Sequence, residues 1–65
     1  MDKLKLEYTL KKHEIPKQAI LDAEGWGTST YYRKMAGESD WTIEEVNNLI
    51  KLGVTLTETI DIFFK

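Results

Sequence analysis

KQAILDAEGWGTSTYYRKMAG, Lys17 to Gly37, is the stretch that decides how this chain folds. Pro16 disfavours helix at Ile15 and suits the first turn of a new helix. A helix is therefore predicted from Lys17 to about Glu24, with Ala19, Ile20 and Ala23 on its buried side. Gly25 supplies the left-handed conformation that ends it. Trp26 then enters the core from the turn. Gly27 or Thr28 opens a third helix, in which Tyr31 and Met35 continue the inward face at i,i+4 spacing until Gly37 closes it. Two short helices about a tight turn, within residues 17–36, have the outline of a helix-turn-helix, whose second helix is the right size for the DNA major groove.

On the N-terminal side, Leu4, Leu6, Tyr8 and Leu10 alternate as in a strand, but Leu6 and Leu10 also lie one helical turn apart. Glu7 precedes Lys11 in the favourable i,i+4 order, and a lone strand would have no partner. The segment is read as helix. On the C-terminal side, ESDWTIEEV (Glu38–Val46) carries a capping box at Thr42 and Glu45. Ile43, Val46, Leu49 and Ile50 follow as an apolar stripe, and Gly53 ends it. Thr55 and Glu58 offer a second capping box before Ile60, Ile62, Phe63 and Phe64. The expectation is one all-α domain of five short helices over residues 1–65.

Size and composition narrow the function. A 65-residue chain has a small core. It has no cysteine, which removes disulfides, thiolate nucleophiles and cysteine-based zinc sites. No apolar run approaches the roughly 20 residues that span a bilayer, and the start MDKLKLEY lacks the apolar core of a signal peptide. A soluble, cytoplasmic protein is expected. The formal charge of −2 argues against indiscriminate binding of nucleic acid. It is unevenly spread: residues 1–37 carry seven Lys/Arg against five Asp/Glu, and residues 38–65 two against six. One half suits DNA and the other is kept away from it.

STYYRKMAGESDWTIEEV (Ser29–Val46) resembles helix three, the following loop and the start of helix four in the Cro/repressor-type, lambda-repressor-like helix-turn-helix family of phages and prophages. The closing TIDIFFK is similar to the last helix of the same small proteins, and the resemblance spans roughly residues 4–64. It implies a compact five-helix lambda-repressor-like DNA-binding domain that regulates transcription. Three positions depart from the pattern. Leu21 stands where a small residue is usual, Glu24 where an apolar residue precedes the turn glycine, and Gly27 where a serine often caps helix three.

The family pattern places Thr28, Ser29, Tyr32 and Arg33 on the face that meets base edges. Arg33 suits a bidentate contact to guanine or a phosphate contact. Thr28 and Ser29 suit a base, a phosphate or the helix cap. Adjacent helical residues point about 100° apart, so Tyr31 is expected in the core and Tyr32 outside. Lys17 and Gln18, at the start of helix two, are candidates for phosphate contacts, as is Lys34. Trp26 and Trp41 suit the core, although the Trp41 indole N–H is also a candidate phosphate donor.

His13 is alone, without metal-ligand spacing, and is expected at the surface. Glu44 and Glu45 diverge on a helix and make no catalytic pair. Gly25-Trp26-Gly27 matches neither dinucleotide nor P-loop glycine patterns. No enzyme activity, cofactor or metal is expected. The implied partner is a double-stranded DNA operator, bound by a homodimer on a roughly palindromic site. The alternative is a protein-interaction module on the same fold, such as an antirepressor or an inhibitor of a host or phage factor.

Overall fold

Helix ends written into the sequence divide the chain into five helices and no strand: α1 (Lys3–Lys12), α2 (Lys17–Glu24), α3 (Thr28–Met35), α4 (Ile43–Leu52) and α5 (Leu56–Phe63). The computed structural model describes residues 1–65. Both capping boxes form. Thr42 accepts from the Glu45 N–H at 3.1 Å while Glu45 accepts from the Thr42 N–H at 2.9 Å. Thr55 and Glu58 repeat the arrangement at 3.2 and 2.9 Å. Such reciprocal bonds satisfy donors that the first helical turn leaves orphaned. Asp2 adds a cap not read from the sequence, accepting from the Lys5 N–H at 3.0 Å.

The stops are equally local. Gly25 takes φ 72° after α2 and Gly37 takes φ 79° after α3, conformations that cost a residue with a Cβ. α1 ends in the same way on a residue that pays this cost. Glu14 has φ 54°, the Glu14 N–H donates to the Lys11 carbonyl at 3.0 Å, and the Ile15 N–H to the Leu10 carbonyl at 2.9 Å. That is a Schellman stop with glutamate where glycine is favoured.

Leu6, Leu10, Ile20, Leu49, Val54 and Ile62 make the centre of the core, with Trp26, Tyr31, Met35, Trp41 and Phe63 packed around it. α1 and α5 run antiparallel. The Asp2 N–H donates to the Ile62 carbonyl at 2.9 Å at one end, and Lys12 and His13 reach Glu58 at 3.0 and 2.8 Å at the other. α2 lies against α4, where Asn48 Nδ2 donates to Glu24 Oε1 at 2.7 Å. No helix is long and apolar enough to cross a membrane.

Three expectations need correction. Ala23 is exposed, because the residue one turn beyond buried Ile20 is Glu24, and Ala23 is rotated off the stripe that faces α4. Ile43 is 64% exposed. It opens α4, whose buried positions are Val46 and Leu49. His13 is half-buried, because it caps α1 where that helix meets the start of α5 and the Glu58 carboxylate.

Candidate functional site

α3 presents two different faces. Thr28, Ser29, Tyr32 and Arg33 are all exposed, and spacings of one, three and four residues place them on one side of the helix. Opposite them, Tyr31 and Met35 pack on the core and Lys34 is buried. Gly27 caps α3 without any side-chain hydrogen bond, so Thr28 and Ser29 are not used as caps. Arg33 takes part in no ion pair of the chain.

Lys17 joins the start of α2 to this face. Its ammonium donates to Tyr32 Oη at 3.0 Å, and it lies 4.5 Å from the Tyr32 ring centre and 5.6 Å from that of Tyr31. The two tyrosine rings meet edge to face at 5.3 Å. The expected divergence of Tyr31 and Tyr32 holds for burial, yet their rings touch, and Lys17 reaches both. Burial pushes the Tyr31 phenol up from its usual value, against an opposing pull from Lys17. Gln18 is exposed and donates to Asp22 at 2.9 Å.

Behind α3 lies a polar network centred on Glu45. Lys34 Nζ donates to Glu45 Oε1 at 2.8 Å and also to the Asp40 carbonyl. Trp26 Nε1 donates to Glu45 Oε2 at 3.2 Å, and the Trp26 ring centre lies 5.7 Å from the Lys34 ammonium. Trp41 Nε1 donates to the Lys34 carbonyl at 3.1 Å, while its ring packs on Trp26 and Phe63, each at 5.1 Å. Burial pushes the Glu45 carboxyl up, but the hydrogen bonds from Lys34 and Thr42 outweigh it and hold the group below its usual value. One carboxylate thus ties α3, the turn before it and the loop after it to the first turn of α4.

This network changes the phosphate candidates. Lys34 is only 8% exposed, with its ammonium satisfied inside the protein, so it leaves the set of surface cations. The Trp41 indole N–H is likewise used internally. For Lys34 alone the sequence held a hint: it lies three residues after the inward Tyr31, on the same arc of α3, although the acid that takes its charge, Glu45, is brought to it only by the fold. The remaining surface set is Thr28, Ser29, Tyr32 and Arg33, with Lys17 and Gln18 at the start of α2.

Glu24 is a further half-buried carboxylate. Oε1 accepts from Asn48, but Oε2 is buried without a partner. Burial raises its carboxyl above the usual value, only partly offset by Asn48. No protein-family model, curated protein or solved structure matches the chain.

Proposed function

We propose that this protein is a sequence-specific DNA-binding transcriptional regulator of Cro/repressor type, with α2, the turn at residues 25–27 and α3 as a helix-turn-helix. The observation that carries the reading is the exposed row Thr28, Ser29, Tyr32 and Arg33 on an eight-residue helix tied from behind to Glu45 through Lys34. In this reading α3 enters the major groove. Arg33 pairs with guanine O6 and N7, a contact worth about 1–3 kcal/mol of discrimination. Thr28, Ser29 and Tyr32 meet neighbouring base edges, and Lys17 and Gln18 grip the backbone beside them. Glu45, through Lys34 and Trp26, keeps the helix from rocking, so that binding loses little energy to ordering. A single module gives a modest interface, so two copies act on a two-fold site.

The test is selection from a randomised duplex library at low salt, with Arg33→Ala as control. An enriched, roughly palindromic motif that the variant fails to enrich is the expected result. No enrichment by the folded protein refutes the reading.

A second reading, a protein-binding module, is favoured by one observation. With Lys34 buried, the α3 face keeps few cations, and the aromatic Tyr32, 57% exposed, stands at its centre. Exposed aromatics of this kind anchor protein interfaces. In that case no operator complex forms at any salt concentration.

A further inference from the structure

Lys17 opens α2 and Tyr32 lies 15 residues on, in the middle of α3, yet the fold joins their side chains directly. Lys17 Nζ donates to Tyr32 Oη at 3.0 Å, and neither side chain makes another hydrogen bond in the chain. Chemistry fixes the direction of that bond. An ammonium has three N–H donors and no acceptor, so the phenol oxygen must accept. The Tyr32 proton then turns away from Lys17, and no group of the protein takes it. Tyr32 is 57% exposed, so this proton is offered to whatever meets the α3 face. The ring is also held in place. The edge-to-face contact with Tyr31 is 5.3 Å, the Lys17 ammonium lies 4.5 Å from the Tyr32 ring centre, and Lys17 itself is half-buried.

We propose, resting on the helix-turn-helix reading above, that Lys17 fixes Tyr32 as a hydrogen-bond donor, so that Tyr32 reads an acceptor on a base edge and rejects cytosine. A tyrosine hydroxyl left alone both donates and accepts, and so serves any base. With an ammonium on its oxygen, a second donor is repelled by the lysine charge. The remaining O–H becomes a stronger donor, because hydrogen bonds in a chain polarise one another. In the major groove guanine offers N7 and O6, adenine N7 and thymine O4, whereas cytosine offers only its N4 amine. Three bases thus have an acceptor for the Tyr32 proton, and cytosine has none. Lys17 acts here as a positioning residue. It touches no base, and its two other N–H groups remain for the phosphate contact assigned to it above. A lysine that served a phosphate alone would weaken binding about equally on every sequence when removed, so the two roles leave different signatures.

The experiment repeats the duplex selection with the natural sequence, Tyr32→Phe, Lys17→Met and Lys17→Arg, each checked for helicity by circular dichroism. Tyr32→Phe keeps the ring and deletes the hydroxyl, so it should erase the preference at one base position and thereby locate the contact. At that position the natural sequence is expected to disfavour cytosine about tenfold, the scale of one hydrogen bond. Lys17→Met frees the Tyr32 oxygen to accept from the N4 amine, and should shrink that discrimination to about twofold or less, besides lowering affinity on every sequence. Lys17→Arg keeps a cationic donor and should preserve it. Nuclear Overhauser effects between the Lys17 ε-methylene and the Tyr32 ring should be present in the free protein, and they report the contact without DNA. Their absence overturns the proposal. So does cytosine accepted at the Tyr32 position by the natural sequence, a motif that Tyr32→Phe leaves unchanged, or a Lys17→Met motif that differs only by uniformly lower affinity. Failure of the natural sequence to enrich any motif is a different result, which refutes the DNA-binding reading and the proposal with it.

Discussion

Replacing Lys34 by methionine asks whether its ammonium is a structural group or a free surface cation. Methionine keeps most of the aliphatic stem and fills irregular space well, so the change chiefly removes the charge. The side chains of Lys34 and Glu45 are 10% and 18% exposed. Breaking a fully buried pair costs about 3–5 kcal/mol. Here Glu45 keeps its bonds from Thr42 and Trp26, which brings the expectation to about 2–3 kcal/mol. A domain of this size has about 3–10 kcal/mol in all, so the loss is large. Urea unfolding followed by the fluorescence of Trp26 and Trp41 should show a midpoint lower by about 2 M or more, given a slope near 1 kcal/mol/M. Glu45→Gln keeps a single acceptor oxygen, enough for the Thr42 N–H or the Trp26 N–H but not for both, and should cost about 2 kcal/mol. The double variant should cost about 2 kcal/mol less than the sum of the two. A loss below about 0.5 kcal/mol for Lys34→Met, the figure for surface changes, refutes the network and returns Lys34 to the phosphate candidates.

Three further outcomes follow from single residues. Glu14→Gly should stabilise the protein by about 0.5–1 kcal/mol, the relief of a left-handed residue less the added freedom of the unfolded chain, read as a rise in Tm of a few degrees in calorimetry. Glu58 is held down to about 2 by the Thr55 N–H first, and then by Lys12 and His13. Its contribution is present above the unfolded carboxylate value and is lost as pH falls through the folded value, so stability should drop between about pH 4.5 and pH 2, and Glu58→Gln should flatten urea midpoints across that window. Glu24 has the opposite sign: its raised folded value leaves its burden absent at low pH and imposes it as pH rises through that value. Glu24→Gln, which removes the charge and keeps an acceptor for Asn48, should therefore gain stability at neutral pH and progressively less in acid, and a gain independent of pH would count against the half-buried carboxylate.

The chemistry of helix ends acts within one turn, and the sequence carries it entire. Pro16, Gly25, Gly37 and Gly53 and the boxes at Thr42–Glu45 and Thr55–Glu58 set the helix limits through bonds between residues three to five apart. Tyr32 could be separated from Tyr31 by helical phase alone. Burial could not be read so directly, because it depends on which part of each helix meets elements distant in the chain. Ile43 and Ala23 fit an apolar stripe by periodicity, but no neighbour covers them. His13 looked isolated because Glu58, its partner, is 45 residues away. Lys34 and Trp41 looked available because the groups that take their hydrogens, Glu45 and a backbone carbonyl, come into reach only when α3 folds against α4. Local hydrogen bonding thus determined the five helices. Only tertiary packing decided which polar side chains face solvent and which hold the protein together.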